Sequence, residues 1–361
     1  MRSLILNVHL FIALTAGAFM VILGATGSVM EFAPELDRFF HPQLSYITPG
    51  KRALSLGEIG DVISRRFSGE SVVAYLPSLS PRLSSQVILP SGIAYVNQYT
   101  GEVLGERPRG QTFLGYVRAL HVRLASGDFG RSILKWSAIA MLLSLASGLY
   151  LWWPMKRVRV RGKWGTRRLW FDLHNAIGIF SLLPLAVLAA TGTVLGFEDH
   201  LAPVISRITG SYPVPATRSA VPEPPPGATS ITPDDAVAIA RAYMPGALPY
   251  RVQMPNYGGA YQIAMLNPHE QIAGDRNLVV LDRYQGKILS LTRSSDLSRG
   301  ERILAGNEAI HTGSAFGMSS RIAVWLASMT VFVQASSGLI LWLYRKKIIP
   351  AAGGSMKEDR A

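Results

Sequence analysis

The chain has 361 residues, of which 48% are hydrophobic and only 16% charged, and it contains no cysteine. Soluble domains carry about a quarter charged residues, so the deficit points to a membrane protein. The missing thiols exclude disulfides, iron–sulfur ligation, thiolate zinc sites and covalent c-type haem. The formal net charge of +13 would suit nucleic acid, but seven of the basic residues crowd into 156–168 with no acid, and five more lie in 345–360. The long segments 32–130 and 199–318 are close to balanced. Basic charge held beside apolar runs is the positive-inside pattern, and no nucleic-acid role is expected.

Residues 8–31 are apolar and supply the roughly 20 residues that a bilayer crossing needs. A cleaved signal peptide is the competing reading; the run is too long for one, and its features recur inside the chain. The N-terminus is therefore expected in the cytoplasm and residues 32–130 outside it. Within that segment 54–67 has helical spacing with Ser55 as N-cap, and 71–76, 84–89, 92–97 and 102–104 read as short strands. The result is a small α+β module. Residues 112–124 return to helical periodicity and carry His121, and Gly127-Asp128-Phe129-Gly130 is expected to break that helix.

The second span, 132–153, ends in Trp152-Trp153-Pro154 and the basic loop 154–169, which places this end inside. The third span, 173–197, returns outward and holds Pro184, expected to kink it. A second external α+β module follows at 199–310. It contains a proline-rich linker at 213–226 and a helix opened by Thr232 as N-cap with Pro233 at its first position. Strands are expected at 249–254, 261–266, 276–282 and 287–292. The fourth span, 320–343, leads through Trp342, Tyr344 and Arg345-Lys346-Lys347 into a cytoplasmic tail, 344–361.

The halves repeat. His9 precedes Thr26-Gly27 by 17 positions, and His174 precedes Thr191-Gly192 by the same 17. Ser147-Gly148-Leu149-Tyr150-Leu151-Trp152 matches Ser337-Gly338-Leu339-Ile340-Leu341-Trp342, and His121 and His311 each lie 27 positions before the glycine of their copy. Tyr99-Thr100-Gly101-Glu102-Val103-Leu104 likewise resembles Tyr284-Gln285-Gly286-Lys287-Ile288-Leu289. Each half runs in, out, module, out, in, so the two share one orientation about an axis along the membrane normal. The predicted fold is an α-helical membrane protein: a four-helix bundle of two parallel repeats with two external α+β modules.

Four of the seven histidines fall into matched pairs. His9 and His174 share the cytoplasmic depth, and His121 and His311 share the outer one. Inherited packing positions would explain such matching. Ionisable side chains near spans are costly, however, and tend to face the bundle interior, so metal ligation is the favoured alternative. Two imidazoles without a companion carboxylate suit haem better than zinc, because the porphyrin supplies the other ligands. Asp172, two residues from His174, is a candidate partner for an imidazole nitrogen or a propionate. Arg118, Arg123, Arg131 and Arg321 fit either propionate neutralisation or interfacial anchoring. On a continuous helix His121 would stand about 15 Å beyond the span, so the Gly127–Gly130 break has to fold its helix back; Gly313 to Gly317 would do the same for His311. His41, His200 and His269 have no matched partners and no assigned role.

Phe171-Asp172-Leu173-His174, Thr191-Gly192, the segment from Asn97 through Gly105, and Ser147-Gly148-Leu149-Tyr150-Leu151-Trp152-Trp153 resemble the PepSY-associated transmembrane helix family across nearly the whole chain. The resemblance implies a bacterial inner-membrane protein with periplasmic PepSY-like modules, often associated with iron uptake. Some members are similar to ferric-siderophore reductases with two non-covalent b-type haems. It thereby implies a cytoplasmic-side haem on His9 and His174 and a periplasmic-side haem on His121 and His311.

The expected function is electron transfer to a periplasmic acceptor, with a ferric siderophore implied by the resemblance. The chain shows no Gly-x-Gly-x-x-Gly dinucleotide fingerprint, so a quinol or another protein is expected to donate the electrons. The alternative is a non-catalytic, membrane-anchored PepSY module that binds or regulates a periplasmic protein or transport partner. A permease is a third, weaker reading, since four spans with few buried charges offer little substrate path.

Overall fold

A computed structural model describes residues 1–108, 110, 112–156, 158–211, 228–255, 259–267 and 277–349. The proline-rich 213–226, His269 and the end of the tail lie outside the described residues. The elements in chain order are α1 (Arg2–Glu31), α2 (Ala33–Phe40), α3 (Pro42–Ser45), α4 (Leu56–Arg66), β1 (Ala74–Leu76), β2 (Ser85–Ile88), β3 (Gly92–Val96), β4 (Val103–Pro108), α5 (Phe113–Arg123), α6 (Gly127–Trp152) and α7 (Arg167–Gly196). They continue with α8 (Glu198–Thr209), α9 (Pro233–Tyr243), β5 (Leu248–Gln253), β6 (Ala260–Leu266), β7 (Leu278–Asp282), β8 (Ile288–Thr292), α10 (Arg299–His311) and α11 (Met318–Arg345). They form two compact units, one of Met1–Phe32, Tyr116–Leu201 and Gly306–Ala361, the other of Ala33–Gly115 and Ala202–Ala305.

In the first unit α1, α6, α7 and α11 are each long and apolar enough to cross a membrane. Each packs on two others: α1 and α7 both lie against α6 and α11, so the four close into a ring with α1 opposite α7. Met20, Leu185, Ala327 and Val331 fill its middle. The outward faces carry large apolar side chains; Phe11, Phe180 and Leu183 are about two-thirds or more exposed, which is stable against lipid and unfavourable against water. Pro184 sits inside α7, which runs unbroken from Arg167 to Gly196.

The turn before α6 meets the sequence expectation at Gly127, which lies at positive φ (62°), and departs from it at Leu124, Ala125 and Gly130. The chain reverses at Leu124 and Ala125, both at positive φ (47° and 53°), and Gly127 to Gly130 already belong to α6. Gly130 is needed for closeness rather than for helix breaking, because a Cβ there would overlap the Arg123 carbonyl.

The second unit is built on one antiparallel sheet of eight strands in the order β4-β3-β2-β1-β5-β6-β7-β8. The sequence predicts two separate modules; the structure joins their strands through β1 and β5, with Ala74 opposite Gln253 and Tyr75 opposite Val252. Joining turns the inner edge of each four-stranded half into a paired strand, which removes two exposed edges. Helices α4 and α9 share the core under this sheet, where Ile63, Val96, Ala236, Val252, Ile263 and Val279 are fully buried. Both helices start with reciprocal caps. In α4 the Glu58 N–H donates to Ser55 Oγ (3.1 Å) and the Ser55 N–H to Glu58 Oε2 (2.7 Å). In α9 Thr232 and Asp235 do the same. Asp234, in the first turn of α9, also accepts from the Leu56 and Gly57 N–H groups of α4, both at 2.8 Å. One carboxylate thus ties the helix of one half to that of the other.

Candidate functional site

The four matched histidines meet in two pairs, both within the helical unit. His9 on α1 and His174 on α7 lie with ring centroids 6.4 Å apart and ring planes at 83°. His121 on α5 and His311 on α10 are also 6.4 Å apart, with planes at 47°. Opposite placement of α1 and α7 in the helix ring brings the first pair together. The second pair is brought in by two chain reversals, at Leu124–Ala125 and at Gly313–Gly317, where both glycines have positive φ near 65°. Each reversal lays a short helix back against a span.

Every ring is held in the same way by a neighbouring span. His9 Nδ1 lies 2.9 Å from Ser147 Oγ on α6, and His174 Nδ1 lies 2.9 Å from Ser337 Oγ on α11. His121 Nδ1 lies 2.9 Å from Thr26 Oγ1 on α1, and His311 Nδ1 lies 2.9 Å from Thr191 Oγ1 on α7. In each case the next residue is a glycine pressed against the ring. A Cβ would sit 3.4 Å from Cε1 of His9 at Gly148 and of His174 at Gly338. It would sit 3.2 Å from Cε1 of His121 at Gly27 and 3.1 Å from that of His311 at Gly192.

His121 and His311 lie on helices outside the four spans. Burial, with the His311 charge and that of Arg118 adding to it, pushes the His121 imidazole down to about 4, and burial lowers His311 as well. Both are therefore neutral at pH 7, the form in which an imidazole binds a metal. Among the described residues no group of three or more His, Cys, Asp or Glu side chains could hold a metal ion, so neither pair has a third such side chain beside it there. With metal–imidazole bonds of about 2 Å and ring nitrogens about 1 Å from the ring centre, two imidazoles that would hold one metal between them have centroids up to roughly 6 Å apart. The observed spacing of both pairs fits that arrangement.

The family model described as the PepSY-associated TM region matches residues 6–345. The chain belongs to this family. A search of curated proteins finds no match. All four paired histidines of this PepSY-associated TM protein fall inside the matched region.

Other residues singled out in the sequence do different work. Asp172 does not reach His174; its Oδ2 accepts from the Arg161 N–H at 2.9 Å and lies 3.8 Å from Arg168 Nε. Ser337 takes the place proposed for it. Arg321 pairs with Glu31 at 3.1 Å and stacks on Phe32, and Arg131 lies 3.5 Å from Asp199. Those two arginines are engaged with carboxylates, while Arg118 and Arg123 are exposed on the helix of His121. His41 is the N-cap of α3, and His200 packs edge-on against Phe197. Neither joins a pair. The four hydroxyl partners were not assigned from sequence, although the signal was present: Thr-Gly and Ser-Gly recur at the same offsets as the histidines.

Proposed function

We propose that this membrane protein carries two non-covalent b-type haems, one on His9 and His174 and one on His121 and His311, and moves electrons across the bilayer to an external acceptor. The observation that carries the proposal is the two pairs of imidazoles, each with ring centroids 6.4 Å apart, in one helix ring. On α1, 17 residues separate His9 from the Thr26 that holds His121, about 25 Å along a helix. That is close to the roughly 30 Å hydrocarbon thickness of a bilayer. A bis-imidazole haem supplies reversible one-electron chemistry. The chain itself holds the four imidazoles, each beside a hydroxyl of a neighbouring span.

The matched contacts support two parallel repeats related by a pseudo-two-fold axis, each contributing one ligand to each site. The basic loop 156–168 supports cytoplasmic termini and a bacterial inner-membrane location, with the sheet unit, formed by two joined PepSY-like modules, in the periplasm. A ferric siderophore is the proposed acceptor, on the family resemblance. Reduction to Fe(II) weakens the grip of hard oxygen ligands and frees the iron. A quinol or a protein is the proposed donor.

The test is a reduced-minus-oxidised spectrum and a pyridine haemochrome count on detergent-purified protein. Two b-type haems per chain are expected, with one lost in His174→Ala and the other in His311→Ala. Anaerobic release of Fe(II) from a ferric siderophore by the reduced protein tests the acceptor. A colourless protein after expression with ample haem would overturn the proposal and leave a membrane-anchored binding module.

A further inference from the structure

The hydroxyl beside each imidazole has its own proton already committed. Thr26 Oγ1 donates to the Ile22 carbonyl at 2.6 Å and Thr191 Oγ1 to that of Val187 at 2.7 Å. Ser147 Oγ donates to Leu143 at 2.8 Å and Ser337 Oγ to Val333 at 2.5 Å. A hydroxyl has one proton and two lone pairs. With its proton on the carbonyl one turn back, the oxygen presents only a lone pair to the ring, so Nδ1 must donate. The adjoining glycine meets the ring at Cε1, so each imidazole is held at two neighbouring atoms and its rotation is fixed.

We infer that Thr26, Thr191, Ser147 and Ser337 are positioning residues: each locks its histidine as the Nδ1–H tautomer, leaves Nε2 as the metal-binding atom, and sets the ring plane. This rests on the haem proposal above and adds to it which atoms bind and why the two centres differ. A hydrogen bond donated from Nδ1 makes the imidazole a stronger donor, which favours the ferric state. The ring planes cross at 83° in the first pair and at 47° in the second. Crossed rings interact with different iron d orbitals and leave them nearly degenerate. Rings nearer to parallel raise the same orbital and split them. The ferric protein should therefore show two distinct low-spin EPR signals, the larger gmax belonging to His9/His174.

The experiment compares full-length wild type with Thr191→Val, Thr191→Ser and Ser337→Ala by haem count, potentiometric titration and EPR. Thr191→Val is expected to raise the potential and move the EPR signal of the His121/His311 centre alone. Thr191→Ser restores both, and Ser337→Ala affects only the other centre. Loss of just the His121/His311 haem in Thr191→Val, with its retention in Thr191→Ser, shows the same dependence as a drop in affinity of about ten- to a hundredfold. If Thr191→Val does not accumulate, Thr26→Val addresses the same centre from its other ligand. Haem-replete variants with unchanged potentials and signals would overturn this inference alone. A wild-type protein without haem would overturn it together with the haem proposal.

Discussion

Adding one methyl group at Gly192 and at Gly338 separates a tight cradle from a roomy one. At Gly192 the new Cβ would lie 3.1 Å from His311 Cε1 and 3.7 Å from its Nδ1, with nothing else within 4 Å. At Gly338 the nearest approach, to His174 Cε1, is 3.4 Å. Carbon atoms pack best at about 3.5–4.0 Å, so Gly192→Ala forces the ring away by a few tenths of an ångström and Gly338→Ala is close to ordinary contact. Overpacking of this kind costs about 1–3 kcal/mol, and about 1.4 kcal/mol is tenfold in affinity. On the haem proposal, the His121/His311 site should then bind haem roughly ten- to a hundredfold more weakly in Gly192→Ala. The helix-propensity gain of alanine over glycine, about 1 kcal/mol, acts on folding and does not restore the ring position. Gly338→Ala should keep its haem. The assay is transfer of haem to excess apomyoglobin, followed spectrally for each centre. Equal loss in both variants, or loss confined to Gly338→Ala, would refute the packing argument.

Three further perturbations test the scaffold. Asp234→Ala removes a carboxylate that accepts two N–H groups of α4; it should cost about 1.5–3 kcal/mol, the range for hydrogen bonds to a charged group, and lower the thermal midpoint by several degrees, whereas Asp61→Ala on the exposed side of α4 should not. Arg321→Ala takes the guanidinium from Glu31, whose side chain is only 4% exposed, and breaking a buried pair from one side costs about 3–5 kcal/mol; a double variant with Glu31→Gln should recover part of the loss in the same melt. Gly24→Leu drives a side chain into the Ser328 carbonyl and Val331 of α11, where even a Cβ would stand 2.9 Å from the oxygen. It should loosen the α1–α11 contact and expose the spans to limited proteolysis in detergent, and an unchanged cleavage pattern would count against that contact.

The four spans, both helix caps and the matched histidines were all legible in the sequence, because each depends on short-range chemistry. Apolar length is what a bilayer demands, a Ser or Thr three residues before an acid marks a helix start by the capping box it can form there, and a duplicated spacing survives in the numbering. The tertiary structure decided the rest. Pairing of β1 with β5 joins residues 74 and 253, and strand edges carry no sequence label for their partner. The reversal before α6 combines Gly127 with positive φ at Leu124 and Ala125, two residues that ordinarily avoid it, so the sequence pointed to the glycine and not to its two neighbours. Asp172 was nearer to His174 in sequence, but Ser337, on another span, is the residue beside its ring. Which hydroxyl meets which imidazole depends on how four helices pack, and packing is a property of surfaces brought together from distant parts of the chain.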